Sequence, residues 1–153
     1  MKDPAWHAPV GKFMLAFGEI EHWTTLLFGC LPGCNFEKAA AKLPLGTRLE
    51  ILKEVLPRDD SPEHKSLLER IAEVEANAAM RNLVAHNGVG MDVKVEGKKI
   101  FFSYHLVSSR DNRKKLSLAQ LITLAEEIDR ISVRFVDAAV DVAKMHIEDP
   151  SDI

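Results

Sequence analysis

With 153 residues, a formal net charge of −3, 46% hydrophobic and 28% charged side chains, the chain is long enough for one domain with a core of its own and ordinary in composition for a globular protein. A mildly acidic balance excludes a protein that coats nucleic acid over its whole surface, and no apolar run approaches the ~20 residues that span a bilayer, so no membrane partner is expected. The N-terminus MKDPAWHAPVGK lacks the charged-then-apolar layout of a signal peptide, and the cytoplasm is the expected compartment.

The first helix is predicted from about Val10 to Phe28, where Phe13, Met14, Phe17, Ile20, Thr24, Leu27 and Phe28 recur at three-and-four spacing. Glu21 interrupts that stripe, and a carboxylate facing a core needs a cation or must turn outward. Trp23 reads as a packing residue, and Leu15, Trp23 and Leu26 form a second apolar flank suited to a partner chain. In CLPGC, Cys30 and Cys34 are two ligands short of a zinc site, and a reducing compartment disfavours a structural disulfide. They read as small side chains in a Pro-Gly turn; no metal and no cofactor is expected.

A short helical segment is predicted over Asn35–Lys42. A clearer helix follows, with Thr47 and Glu50 as a capping box, Leu49, Leu52, Val55 and Leu56 as its apolar face and Pro57 as its end. Arg58-Asp59-Asp60 reads as a linker. The next helix opens with Ser61 as N-cap and Pro62 in its first position, buries Leu67, Leu68, Ile71, Val74, Ala78 and Ala85, and is expected to stop in a left-handed turn at Asn87-Gly88.

From Val89 to Leu106 the period falls to two: Met91, Val93 and Val95 alternate, Glu96-Gly97 supplies a turn, and Ile100, Phe102, Tyr104 and Leu106 alternate again. The pattern predicts a β-hairpin over about 89–107, with Tyr104 and His105 either lining an RNA groove or, as preferred, packing within the strands. The loop SSRDNRKK follows. Ser117 with Gln120 caps a long last helix that buries Leu121, Ile122, Ala125, Ile128, Phe135, Ala139 and Val142, and the acidic end from about 147 to 153 is expected to fray. The fold class expected is mainly α: one domain over 1–153, a helical bundle with a β-hairpin inserted between its third and last long helices.

Charge is unevenly placed. Lys94, Lys98, Lys99, Arg110, Arg113, Lys114 and Lys115 face only Glu96 and Asp111 within their stretch, a local +5 that leaves the remainder at −8. Such a patch can hold an RNA phosphate chain or form an ordinary solvated loop; Lys98, Lys99, Arg110, Arg113, Lys114 and Lys115 are the candidate RNA contacts.

The chemistry-bearing residues lie just before the hairpin. Glu73, Asn77 and Arg81 stand four apart on one helical flank, and His86 follows five residues after the arginine, giving E-x-x-x-N-x-x-x-R-x-x-x-x-H. RNA carries its own nucleophile, the 2′-hydroxyl, so a guanidinium that clamps the phosphorane and an imidazole that moves a proton near pH 7 suffice to cut it. Glu73 then reads as the group that orients Arg81, directly or through Asn77, and Asn82 as a partner for the His86 ring or a helix cap. At about 100° per residue, His86 lies about 140° round the helix from Arg81. Either the helix unwinds at Asn87-Gly88, or a two-fold related copy supplies the complementary residue, the preferred solution with some help from the first.

This pattern resembles the HEPN family (higher eukaryotes and prokaryotes nucleotide-binding), which carries R-x-x-x-x-H, often extended to E-x-x-x-K-x-x-x-R-x-x-x-x-H. Glu73, Arg81 and His86 match; Asn77 stands where many members have Lys, and Asn82 after the arginine is also common. The resemblance implies an antiparallel helical bundle, a homodimer whose motifs face one cleft, and metal-independent endoribonuclease activity with Arg81 and His86 as the catalytic pair and RNA as substrate. It leaves the role open among defence, toxicity and processing, and a separately encoded antitoxin is a further partner that such a role would bring. In a toxin–antitoxin branch a Tyr two places after the histidine is the target of nucleotide modification; here that position is Gly88, so this control is not expected. Other members are binding modules without catalysis, and a third reading is structural, with Arg81 paired to Glu21 or Glu73.

Overall fold

The computed structural model describes residues 4–111 and 113–147, so most of the tail expected to fray lies outside the described residues. After a 3₁₀ turn at Pro4–Trp6 the order is α1 (His7–Cys30), α2 (Glu37–Ala40), α3 (Leu45–Val55), α4 (Pro62–His86), β1 (Val89–Glu96), β2 (Lys99–Val107), β3 (Lys115–Ser117) and α5 (Leu118–His146). The fold is mainly helical with a small antiparallel sheet in the order β1-β2-β3. Among the described residues no helix is long and apolar enough to cross a membrane.

Two helices start where local chemistry places them. The Ser61 hydroxyl accepts the His64 N–H at 3.2 Å, and Pro62 occupies a position whose missing N–H costs nothing. At Ser117 both halves of the box close, Gln120 N–H to the hydroxyl at 3.2 Å and Ser117 N–H to the Gln120 side chain at 2.9 Å. The box expected at Thr47 and Glu50 does not form. α3 begins at Leu45 behind Pro44, because Leu45 packs on the core and draws the helix start ahead of Thr47. Leu56 is extended, as the residue before Pro57 must be, and ends that helix. The segment expected over Asn35–Lys42 shrinks to the single turn of α2.

Phe13, Phe17 and Phe28 of α1 meet Phe135 of α5 in one contiguous core that takes in Leu49, Leu52, Leu67, Ile71, Leu121 and Ile128. α1 and α5 make the most extensive contact between helices. Lys12 reaches Glu126 at 2.8 Å and Asp129 at 3.0 Å, and Ser132 donates to Glu19 at 3.0 Å, so contacts advance together along α1 and α5 and the two run in the same direction. α4 is antiparallel to α5, as Arg134 to Glu73 and His146 to His64 show. The bundle is therefore not antiparallel throughout, because α4 and the hairpin bring the chain back before α5 begins. Leu68 and Ile122, expected inside, are exposed, and Val84 and Ile131 are buried instead. Over helices of 25 and 29 residues, small departures from a fixed period accumulate and move the stripe.

The left-handed stop is also corrected. Asn87 is extended at φ −126° and ψ 153°, and among the described residues only Gly33 and Gly97 have positive φ. The chain enters β1 at once, so it needs extended backbone there. The Asn87 amide closes the helix end, donating to the carbonyls of Leu83 at 2.9 Å and Asn82 at 3.5 Å, while its oxygen accepts the Ser109 N–H at 2.7 Å. Gly97, at φ 61°, and Lys98 form the hairpin turn, with the left-handed residue first as in a type II′ turn. Val89, Met91, Val93 and Val95 stand opposite Leu106, Tyr104, Phe102 and Ile100, which puts all eight on one face. Only the base of the sheet enters the core, through Leu106 and Leu116. β3 joins it there, pairing Lys115, Leu116 and Ser117 with Val107, Leu106 and His105.

Candidate functional site around Arg81 and His86

Arg81 leaves α4 towards α1, where one guanidinium nitrogen lies 3.0 Å from Glu21. The same carboxylate takes Arg48 of α3 at 3.5 Å, and Arg48 also donates to the Glu21 carbonyl at 2.8 Å and to the Thr25 hydroxyl at 2.7 Å. Three helices thus meet at one carboxylate between two guanidinium groups, a cluster of net charge +1. The interruption at Glu21 is resolved by pairing: its side chain is 27% exposed, Arg81 is 29% exposed, and Arg48 only 7%. A charge as buried as Arg48 needs its three partners. The Nε of Arg81 is buried without a hydrogen-bond partner.

Glu73 does not orient Arg81. It binds Arg70 at 2.8 Å and Arg134 of α5 at 3.0 Å, tying α4 to α5, and Asn77 donates to the Glu73 carbonyl one turn back rather than passing a contact on. The carboxylate that pairs with Arg81 comes from α1, since Glu73 is already taken by Arg70 and Arg134. Asn82 takes part through its carbonyl, which receives Asn87, and makes no hydrogen bond to His86. The His86 side chain is exposed and makes no hydrogen bond among the described residues, and α4 stays helical through it, so no unwinding swings it towards Arg81. Within one chain the two share no hydrogen bond or ion pair.

The basic stretch is partly neutralised. Lys94 pairs with Glu96 at 2.6 Å, Arg113 with Asp111 at 3.1 Å and Lys115 with Asp92 at 2.6 Å. Arg113 holds the Asp111 carboxyl below its ordinary range, and Lys115 does the same to Asp92. Lys98, Lys99, Arg110 and Lys114 have no such pair among the described residues and carry the positive field of this side. Tyr104, expected to pack, is largely exposed, since no element covers that side of the hairpin. His105 is partly covered, 3.5 Å from Asp92.

A second cluster lies at the other end of α4 and was not foreseen. His64 is 1% exposed; its Nδ1 sits 2.7 Å from Asp59, and its Nε2 lies 3.1 Å from the Nε2 of His146. The two rings are nearly parallel, 11° apart, with centroids 5.3 Å apart. A ring nitrogen is less than one ring bond length from its own centroid, so these distances require the two Nε2 atoms to lie almost on the line joining the centroids. The rings meet head to head and share one proton, rather than stacking or opening a gap for an ion. Burial and the neighbouring His64 push His146 below the usual imidazole range, and the bond from His64 lowers Asp59. The signals were present as Asp59, His64 and His146, but partners 82 residues apart leave no spacing to read.

Cys30 and Cys34 are free thiols raised above their ordinary range by burial, and among the described residues no group of three or more His, Cys, Asp or Glu side chains could hold a metal ion. Comparison with protein-family models, with curated proteins and with solved structures finds no match for this chain.

Proposed function

We propose that this chain is a HEPN-like endoribonuclease that acts as a homodimer, with Arg81 and His86 as its catalytic groups and RNA as its substrate. The observation that carries this reading is the shared carboxylate. Glu21 holds Arg81 through one carboxylate oxygen and Arg48 through the other, so the three-residue cluster keeps a net charge of +1, and a guanidinium positioned in this way suits a phosphorane. His86, exposed and unbonded, is free to move protons, and its copy in a second subunit takes the opposite role. One imidazole removes the 2′-hydroxyl proton, the 2′-oxygen bonds to phosphorus, the bond to the 5′-oxygen breaks, and the other imidazole protonates that leaving oxygen. The products are a 2′,3′-cyclic phosphate and a free 5′-hydroxyl.

A second reading has its own support. The bond from Arg81 to Glu21 joins α4 to α1, and an arginine engaged in this way also serves a binding module or a structural dimer. Incubating the purified chain with mixed RNA in EDTA separates the two. The ribonuclease reading expects cyclic-phosphate ends, and expects Arg81→Lys to lose most of the rate, because an ammonium keeps the charge but not the flat two-point contact. RNA bound and left intact by the wild type favours the second reading.

A further inference from the structure

The hairpin carries the largest uncovered apolar surface of the described chain. Val89, Met91, Val93, Val95, Ile100, Phe102 and Tyr104 share one face and are each 45–65% exposed, while only Leu106 at its base is buried. Seven half-exposed side chains of this size present on the order of 600 Å² of apolar surface, at or above the largest patch a typical monomer leaves open. The opposite face is different in kind. Asp92, Lys94, Glu96, Lys99 and His105 lie there with Phe101 and Ser103, and Lys115 reaches across to Asp92.

We infer that the apolar face of the β1–β2 hairpin is a two-fold interface on which a second copy of this chain seats the same face of its own hairpin. Composition selects that occupant. In a two-fold contact the patch seats on its own copy, residue i meeting residue j and j meeting i, so a face without charges closes on itself with no charge buried unpaired and none set against its like near the axis. This face has no charged residue, whereas its reverse has several. The area agrees: two such faces in contact approach the ~800 Å² per partner of a standard interface. Uncovered, the same face would sit beside the free edge of β1, an arrangement that invites aggregation.

The interface deepens the dimeric ribonuclease reading, and rests on it only for the role of His86. The face begins at Val89, three residues after His86, so pairing the hairpins sets the ends of both α4 helices at the rim of one interface. The polar reverse faces, where Lys94 pairs with Glu96 and Lys115 with Asp92, then point away from each other and stay open to solvent.

Sedimentation of the full chain at tens of micromolar tests this. The wild type is expected as two chains, and Val93→Asp and Phe102→Asp as one chain each with unchanged helical circular dichroism, since both positions are exposed and outside the core. Phe101→Asp, on the reverse face, and Leu15→Asp, on the exposed flank of α1, are expected to stay dimeric. A monomeric wild type overturns the interface, and so does loss of the dimer in Leu15→Asp but not in the hairpin variants. Val93→Asp that stays dimeric but loses RNA binding overturns it in favour of an RNA surface. A wild type that dimerises through the hairpin yet cuts no RNA leaves the interface standing and removes only the ribonuclease reading.

Discussion

One helix carries two histidines in opposite circumstances. His64, at the start of α4, is buried with both ring nitrogens bonded, whereas His86, 22 residues and about 33 Å further along, is exposed with neither bonded. At the first end the imidazole joins the linker before α4 to the last turn of α5; at the second it stands exposed at the helix end, next to the Asn87 that caps it. The residue type is the same, and what surrounds the two nitrogens decides whether the ring is spent on holding the fold or left open at the surface.

Exchanging the two sites gives the largest effect. His64→Ala opens a cavity and strands Asp59 and His146, and should cost about 2–4 kcal/mol in urea denaturation, whereas His86→Ala should stay within about 0.5 kcal/mol. In an RNA cleavage assay the order should reverse, with His86→Ala losing at least ~10²-fold in rate and His64→Ala, kept below its melting range, losing little. Equal destabilisation by both variants would erase the distinction between the ends.

Acid should act at the His64 end. The His146 pKa is lowered in the folded state, so between its folded value and the unfolded ~6.5 the unfolded chain binds more protons. The contribution to stability is fully present above that unfolded value and is lost as the pH falls through it towards the folded one, because a second proton would set N–H against N–H between the rings. Asp59 adds a further loss at lower pH, as its depressed carboxyl finally takes a proton. A fall of about 2–4 °C in Tm between pH 7.5 and 5.5 is expected, and His146→Phe should flatten it. A profile identical in the variant would assign the acid response elsewhere.

The smallest effect on the fold should come from the exposed cations of the hairpin turn and of the loop after β2. Lys98→Glu and Lys114→Glu remove cations that have no ion pair among the described residues, so Tm should hold while RNA binding weakens, mainly at low salt, with the salt slope reduced by about 1 for each lost phosphate contact. Affinity and slope both unchanged would return these lysines to solvent.

What could be read beforehand follows the range of the interactions. The caps at Ser61 and Ser117 lie within four residues of what they cap, and the hairpin follows from strict alternation, so all three were legible. The Thr47 box failed because a tertiary contact at Leu45 outweighed a local hydrogen bond worth ~1 kcal/mol. β3 has three residues and no period of its own; only its pairing with Val107, Leu106 and His105 makes it a strand. In the candidate site, the sequence pattern singled out Arg81, His86 and the conflict at Glu21. It named Glu73 as the orienting carboxylate, although that group faces Arg70 and Arg134; it gave Glu21 as the partner of Arg81 only in its structural reading, the pairing that forms, and it could not see Arg48, whose link to Glu21 spans 27 residues.

The Asn87 side chain has a geometric consequence of its own. One of its ends grips the last turn of α4 and the other holds the backbone of Ser109, at the root of the loop that bears Arg110 and Lys114. That loop cannot drift from the helix end without breaking a bond of 2.7 Å. One amide of fixed length therefore sets the span between the cationic loop and the end of α4 that carries His86, and a residue one methylene longer at position 87 would change that span without touching any charge.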